Sequence, residues 1–307
     1  KKGEDAKYAR AISQQYRTNH REILVSPSDL LQGLDEVLSI VDEPVFDSAI
    51  VPTYLIAKSA REHGVKVMLS GAGGDELFGG YRRHFAPRFL SPLWVAEHFP
   101  KVVRQLIGRL WAGVQPHRGF RAQDPGIAYL AGIFGADLGF YKKVLNADTF
   151  DRFLNMLIQA TAPLGDQGQS FANKGRGYHY RRMHFDLTHY LVDNILSLTD
   201  KATMATSVEG RVPLLDHRLA EFAFSLPEEI NIKNGQPKGL FKSALKPYLP
   251  AVLLNRSKEG FNAPIAAWMD AKFYDTVRNE LKNNLSPALT EVLNPNILLQ
   301  YTRTTPA

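Results

Sequence analysis

A short apolar run, followed by a glycine-rich loop and the start of a helix, constrains the fold more than any other feature of the sequence. Residues Val65–Leu69 are apolar except for Lys66 and are β-branched at the start, and Gly64 and Gly71 bound them, which predicts a buried strand. Residues 70–81 then read SGAGGDELFGGY, and a helix is expected to begin near Asp75. Uncovered backbone N–H groups and the partial positive charge of a helix N-terminus suit an anion such as phosphate.

The two carboxylates at the start of this helix can be interpreted in two ways. Asp75 and Glu76 would repel phosphate directly, but a Mg²⁺ ion held by a carboxylate can bridge to phosphate oxygens. Alternatively, the carboxylates complement the helix dipole and the glycines only make a tight turn. Other loop motifs fit less well: Glu76 stands where a dinucleotide fingerprint needs glycine, the Walker Gly-Lys-Ser/Thr is absent, and Met68 rules out a nucleophile elbow around Ser70.

The surrounding periodicity predicts an α/β region followed by a mostly helical one. Apolar spacing predicts helices over 4–18 and 51–63 and another helix that opens at Ser26, while Ile23–Val25 predicts a further strand. Alternating helices and strands are typical of a parallel sheet. Beyond about residue 82 the long periodic segments are helical in pattern. We therefore predict an α/β region in residues 1–85 and a mostly helical region in residues 86–307.

Composition excludes several classes of protein. Of the 307 residues 44% are apolar, which is enough for a sizeable core, and the absence of cysteine excludes disulfides, zinc-thiolate sites and a cysteine nucleophile. The net charge of +6 is mild. A nucleic-acid-binding protein would need a basic stripe with interleaved aromatic residues, and the sequence contains none. No apolar run reaches the roughly 18 residues of a membrane span, so we expect a cytoplasmic protein.

Five ordered segments resemble the synthetase domain of the glutamine-dependent asparagine synthetase family. The glycine loop at residues 70–81 resembles the second phosphate-site motif of that family. Order and spacing agree from about residue 4 to about residue 270. The other four segments are Asp42-Glu43-Pro44 with Asp47 and Pro52-Thr53-Tyr54-Leu55; Asp193-Asn194-Ile195-Leu196 with Asp200-Lys201-Ala202-Thr203-Met204; residues 209–216, EGRVPLLD; and residues 255–261, NRSKEGF.

The resemblance implies a fold and a reaction. The fold would be α/β, with a parallel sheet of the PP-loop ATP pyrophosphatase type (adenine nucleotide alpha hydrolase-like). The reaction would activate a small-molecule carboxylate, usually that of aspartate, with ATP and Mg²⁺ as an acyl-adenylate, after which ammonia from a separate glutaminase domain displaces AMP. This order is chemically sensible because a carboxylate is a poor acyl donor until its oxygen becomes a good leaving group. The resemblance also allows for a homodimer.

The same resemblance assigns roles to individual residues. It makes Asp75 the magnesium–pyrophosphate ligand and Lys258 the catalytic lysine that stabilises negative charge on the pyrophosphate and at the transition state. Without it, Lys258 is interpreted as one of several solvated surface cations. The residues expected to bind the nucleotide are Ser70, Gly71, Gly73, Gly74, Asp75 and Glu76.

Four further residues are candidates for the substrate side of the site or for its structural wall. Glu209 and Arg211 are either a buried ion pair that fixes the wall or direct substrate contacts. Asp193 and Asp200 are seven residues apart, so on a helix they project from similar faces. Asp200 either reaches the cleft or pairs with Lys201 or Arg211.

The sequence also departs from the family pattern. The family's first phosphate loop, Ser-Gly-Gly-x-Asp-Ser, and the N-terminal cysteine of the glutaminase are nowhere in these residues. Ala72 stands where asparagine-forming members often carry glutamate. We therefore expect the 307-residue chain alone to be inactive in ATP–pyrophosphate exchange, and the strand near Val65–Leu69 to lack its usual neighbour. Two alternatives stay open: an amidotransferase that acts on a different carboxylate, and a non-catalytic truncated relative.

Overall fold

The computed structural model describes residues 4–43, 45, 47–84, 138–161, 177–232, 236–254 and 271–302. Lys258 and 91 of the 222 residues in the predicted helical region 86–307 lie outside these residues. Up to residue 161 the elements are α1 (Glu4–Tyr16), α2 (Pro27–Leu38), α3 (Ile50–Glu62), β1 (Val67–Leu69), α4 (Gly74–Phe78), a 3₁₀ turn (Arg82–His84), α5 (Leu138–Val144) and α6 (Ala147–Thr161).

The second half of the chain is also mainly helical. A π-helix, Asp186–Leu196, continues directly from one α-helix into the next. The elements from residue 177 onward are α7 (Tyr178–Phe185), the π-helix, α8 (Ser197–Met204), β2 (Glu209–Arg211), a 3₁₀ turn (Pro213–Leu215), α9 (His217–Ser225), α10 (Glu228–Asn231), α11 (Gly239–Leu245), α12 (Ala251–Leu254), α13 (Ala271–Asn283), α14 (Pro287–Val292) and α15 (Pro295–Tyr301).

The chain forms two compact units. The first combines residues 1–85 with residues 179–263, and the second combines residues 86–178 with residues 264–307. The predicted division into residues 1–85 and 86–307 stays a prediction. No helix among the described residues is both long enough and apolar enough to cross a membrane.

Local sequence signals set the helices of the first unit. Ser26 caps α2: its side chain accepts from the backbone N–H of Asp29, and the Asp29 carboxylate accepts from the Ser26 N–H, which is a capping box that precedes Pro27. The predicted helices over 4–18 and 51–63 are confirmed as α1 and α3. Ile50, Val51 and Ala57 of α3, together with Leu30 and Val37 of α2, contribute to the buried side of this unit.

The sheet seen in the described residues is a parallel pair, β1 and β2. Val67 lies opposite Glu209 and Leu69 opposite Arg211, so the strand predicted at 65–69 is confirmed over its last three residues. The strand is not buried as expected, because the Leu69 side chain is 71% exposed. The mostly helical α/β class is confirmed in this coarse form.

The strand predicted at Ile23–Val25 is wrong. These residues form no strand, and Leu24 is 92% exposed. Together with residues of α2 and α3 they line an open groove of about 260 Å³. A run of three apolar residues is too short to show the alternation that would distinguish a strand from an extended segment beside helices. In the structure it is an extended segment beside α2 and α3.

The core beneath the glycine loop fixes the position of α4. Leu77 and Phe78 of α4 pack against Ala223 of α9, and the Phe78 ring stacks on Phe241 with centroids 4.8 Å apart. Asn231 is fully buried and donates its side-chain amide to the Leu77 carbonyl at 3.0 Å. These contacts hold the five-residue helix in place although it is too short to be stable by itself.

The second unit is helical in its described residues. An antiparallel bridge joins Leu145, just after α5, to Leu293, just after α14. The rings of Phe140 and Tyr301 meet edge to face with centroids 5.0 Å apart, which joins α5 to α15. The guanidinium of Arg278 donates to the Thr302 carbonyl at 2.6 Å and so ties α13 to the end of α15.

Candidate functional site

The glycine loop lies at the carboxyl end of β1. The N–H of Ser70 donates to the Arg211 carbonyl at 2.8 Å, which extends the β1–β2 ladder by one residue before the loop leaves the sheet. The segment that follows β2 meets the loop at the same edge, where Leu214 and Leu215 lie against Gly74 and Gly73. In open α/β sheets, ligands bind at this carboxyl edge of parallel strands.

Position 73 requires glycine both because of its backbone conformation and because Leu215 packs against it. Its φ of 90° lies in the left-handed region, and a Cβ atom there would overlap the Leu215 side chain. At Gly74 a Cβ atom would lie 3.1 Å from Cδ1 of Leu214. The backbone of the loop therefore packs directly on the segment after β2, with no side chain between them.

Asp75 faces a cation that the sequence analysis did not single out. Nζ of Lys238 lies 3.2 Å from Oδ2 of Asp75, and both side chains are about a quarter exposed. The backbone N–H of Lys238 donates to the Phe78 carbonyl at 3.1 Å, and its φ of 57° is left-handed. A Cβ atom at Gly80 would overlap Oδ1 of Asp75 and come within 2.6 Å of Cε of Lys238. Gly80 thus leaves the space in which this pair forms.

Glu76 points the opposite way, into the protein. Its side chain is 1% exposed, and the Tyr81 hydroxyl donates to Oε1 at 2.6 Å. Burial raises the pKa of the Glu76 carboxyl, and burial also raises the pKa of Tyr81. The first turn of α4 therefore presents one carboxylate to solvent and keeps the other inside, and the nucleotide-binding role of Glu76 stays a prediction.

A buried charged network lies behind Tyr81. Oδ2 of Asp186 accepts hydrogen bonds from Nε of Arg83 and Nε2 of His84, both at 2.7 Å. The Arg83 guanidinium lies 3.7 Å from the centroid of the Tyr81 ring and 4.7 Å from that of Tyr190. Burial lowers the pKa of His84. Sequence reasoning missed this network because its members share no motif and no regular spacing.

Two segments of the family pattern come together beside the network. The Asn194 side-chain amide donates to Oδ2 of Asp47 at 2.8 Å. Nζ of Lys201 donates to Oε1 of Glu43 at 2.8 Å and also contacts Oδ1 of Asp42. The acidic segment before α3 is thus held by the π-helix and α8.

The four predicted wall residues lie on the surface. Glu209 and Arg211 do pair, at 2.9 Å, but both side chains are exposed, so the expectation of a buried pair is wrong. They are two residues apart on β2 and so project from the same face. Asp193 and Asp200 are exposed as well. Of the two alternatives for Asp200, pairing with Lys201 or Arg211 is wrong, since those cations bind Asp42, Glu43 and Glu209. A position of Asp200 at the cleft stays a prediction.

The side chains near the glycine loop could hold Mg²⁺ only if phosphate groups of a substrate supplied further ligands. Within the part of the chain that the structure describes, no three histidine or carboxylate side chains cluster closely enough to hold a metal ion. Mg²⁺ usually keeps several waters and takes one or two carboxylates together with substrate phosphates. A single partly exposed carboxylate, Asp75, beside Lys238 matches that pattern.

Fold and site together define a mostly helical α/β protein with a glycine loop at the carboxyl edge of a parallel strand pair. The asparagine synthase family profile matches residues 1–307. The chain belongs to the asparagine synthase family, which confirms the resemblance of its five segments. This places the chain in a family of enzymes that includes proteins named as asparagine synthetases.

Three relatives illustrate the match. "Asparagine synthetase [glutamine-hydrolyzing] 1" of Bacillus subtilis is 29% identical over 86% of this chain and 41% of its own length. "Asparagine synthetase [glutamine-hydrolyzing] 3" of the same organism is 26% identical over 84% of this chain and 36% of its own length. "Amidase chyE" of Penicillium rubens is 24% identical over 69% of this chain and 34% of its own length. The chain therefore spans well under half the length of these relatives.

Proposed function

We propose that this chain is the synthetase part of a glutamine-dependent asparagine synthetase. The carboxylate of aspartate would be activated by ATP as an acyl-adenylate, and ammonia from a glutaminase domain would displace AMP to give asparagine, with pyrophosphate as the other product. The observation that carries the proposal is the Asp75–Lys238 pair on the glycine loop at the carboxyl end of β1. Family membership and the names of the relatives support it.

The residues around the loop suit a magnesium–pyrophosphate group. Asp75 would hold Mg²⁺, which when bound neutralises charge on the phosphate oxygens. The ammonium group of Lys238 would hold a phosphate oxygen directly, since it already lies beside the carboxylate. The main chain of Gly73 and Gly74 comes close to this edge without side chains in the way. We further propose that Lys258 stabilises charge in the transition state.

The finer features of the proposal follow from the same family. The order of strand, glycine loop and short helix supports a sheet of the PP-loop ATP pyrophosphatase type, with ATP and Mg²⁺ as the groups bound. The homodimer and the cytoplasmic location stay predictions.

A second candidate is an amidotransferase that uses a carboxylate other than aspartate. Ala72 favours it, because asparagine-forming members often carry glutamate at this position of the loop. The Ala72 N–H donates to Oγ of Ser70 at 3.2 Å, so the backbone of the loop closes on itself here, and position 72 offers only a methyl group. A non-catalytic relative stays the third candidate.

The decisive experiment is ATP–pyrophosphate exchange in the full-length parent enzyme with aspartate and with other carboxylates. Asp75→Asn, Lys238→Met and Lys258→Ala should each lower the exchange rate about 10²-fold or more, the usual scale for losing one preorganised charge. Lys246→Met and Asp35→Asn are matched controls, because both residues are exposed, and their rates should stay near the parental rate.

Each outcome has a distinct meaning. Exchange that depends on a carboxylate other than aspartate would replace the first candidate by the second. Near-parental rates in all three site variants would show that the site is wrongly assigned. The 307-residue chain alone should show no exchange above a Lys258→Ala control, and robust exchange would contradict that prediction.

A further inference from the structure

A continuous series of contacts joins the buried Asp186 to the loop that carries Asp75. Asp186 binds Nε of Arg83 at 2.7 Å, and the Arg83 guanidinium stacks 3.7 Å from the Tyr81 ring centroid. The Tyr81 hydroxyl donates to Glu76 at 2.6 Å. The links from Asp186 to Glu76 are short hydrogen bonds and one ring contact, and Glu76 is the chain neighbour of Asp75 in the first turn of α4.

The burial of this series makes its geometry specific. Asp186, His84 and Glu76 are all essentially inaccessible to solvent. A buried carboxylate is tolerated only when cations or donors satisfy it, and the loss of one partner leaves an uncompensated charge. Asp186 therefore fixes the position of Arg83 and His84 far more strictly than a surface ion pair would.

The π-helix sets the position of Asp186 and of two more polar residues. Asp186, Tyr190 and Asn194 follow at four-residue intervals and contact, respectively, the Arg83–His84 turn, the Arg83 guanidinium and Asp47. Long π-helices are rare, and π-helical turns occur frequently at functional sites. The irregular helix thus presents a polar stripe to the segment that carries the glycine loop.

We propose that Asp186 is a positioning residue for the glycine loop: it holds Arg83 against Tyr81, and Tyr81 holds Glu76, so that Asp75 stays beside Lys238. This inference rests on the proposed function only in treating Asp75 and Lys238 as the pyrophosphate-binding pair. In this inference Asp186 acts on Asp75 through Arg83, Tyr81 and Glu76.

Amide hydrogen exchange of the 307-residue chain tests the series without any ligand. In Asp186→Asn the amides of Leu77 and Gly80, which donate to the carbonyls of Gly73 and Asp75, should exchange about tenfold faster or more. Residues 27–38 of α2 should keep their rates. Asp35→Asn, the same chemical change at an exposed site, should alter neither region.

Two further variants separate positioning from general destabilisation. Tyr81→Phe keeps the ring beside Arg83 but removes the hydrogen bond to Glu76, and it should also accelerate exchange in residues 70–81. If Asp186 acts through Tyr81, amides of residues 70–81 in the double variant Asp186→Asn/Tyr81→Phe should exchange no faster than in Asp186→Asn alone, because the two changes break the same series of contacts. Arg83→Lys keeps a charge for Asp186 but loses the planar stacking, and it provides the same test should Asp186→Asn fail to fold.

A spectroscopic and a binding measurement complete the test. With 3-fluorotyrosine in the chain, the fluorine signal that disappears in Tyr81→Phe should shift in Asp186→Asn and stay in place in Asp35→Asn. Calorimetric titration with magnesium pyrophosphate should show about tenfold weaker binding in Asp186→Asn. If the unaltered chain binds no magnesium pyrophosphate, the assignment of Asp75 and Lys238 as its pyrophosphate-binding pair loses its support, while the amide-exchange and fluorine results still decide on the positioning role.

Three results would overturn the inference. One is unchanged exchange of residues 70–81 in Asp186→Asn or, where that variant does not fold, in Arg83→Lys. Another is additive effects of Asp186→Asn and Tyr81→Phe. The third is exchange that rises equally in α2 and in the loop, which would reduce Asp186 to a residue of general stability.

Discussion

The substitution Gly80→Ala tests whether the glycine loop is shaped around the Asp75–Lys238 pair. A Cβ atom at position 80 would overlap Oδ1 of Asp75 and lie 2.6 Å from Cε of Lys238. Gly80 is buried, so the new methyl group has no route to solvent. One of the two charged side chains has to leave its position, or the loop has to shift.

The expected size of the effect follows from the overlap. Forcing an extra carbon into a packed site costs typically about 1–3 kcal/mol. For a domain of this size each kcal/mol lowers the melting temperature by about 2–4 °C, so Gly80→Ala should lower it by about 2–12 °C. Because the overlap falls on the pair itself, binding of magnesium pyrophosphate should weaken as well.

Gly71→Ala in the same loop is the matched control for stability, and the unaltered chain is the reference for affinity, because Gly71 is itself expected to bind the nucleotide. A Cβ atom at Gly71 would meet nothing within 4 Å, and the residue is exposed. Calorimetric melting and magnesium pyrophosphate titration of both variants would measure the difference. The reasoning would be refuted if Gly80→Ala melted at the same temperature as Gly71→Ala and bound magnesium pyrophosphate as tightly as the unaltered chain, because then the space beside Asp75 would not matter.

Three more predictions concern stability. Asn231→Ala should lower the free energy of unfolding by about 1–3 kcal/mol, measured in urea, because the buried Leu77 carbonyl loses its amide partner; an unchanged value would contradict this role. The raised pKa of Glu76 means that the folded state binds its proton more tightly than the unfolded state, so stability should fall as pH rises above 4.5, and Glu76→Gln should flatten that slope in melts across pH. In amide exchange Val67–Leu69 should be less protected than Leu219–Phe224; equal protection would show that the sheet needs no further strand.

Local signals in the sequence predict the elements near the loop well. The glycine loop predicts the end of β1 and the start of α4, and Ser26 predicts the start of α2, because both signals act over a few residues. The run Ile23–Val25 misleads because its few residues carry no period. The exposure of Leu69 is not predictable either, since it depends on which strands lie beside β1.

Only part of the candidate site can be predicted from the sequence, because some of its residues are brought together by contacts between distant segments. Asp75 follows from the motif, whereas its partner Lys238 comes from a distant turn, Gln236-Pro237-Lys238-Gly239, whose sequence indicates a turn but no partner. The role of Asp186 likewise depends on its contacts with Arg83 and His84, which lie about one hundred residues earlier in the chain. Long-range pairing of buried charges leaves no periodic trace in a sequence.

The parallel pairing of β1 with β2 has a consequence for the order in which the molecule folds. Val67 meets Glu209 across the whole intervening chain, and a parallel pair cannot form through a short hairpin. Closing so long a loop costs conformational entropy before the strand pair can form its stabilising contacts. Contacts between residues far apart in sequence therefore slow folding. We therefore expect the helices around α2 and α3 to form early and the glycine loop to take its final shape among the last parts of the first unit.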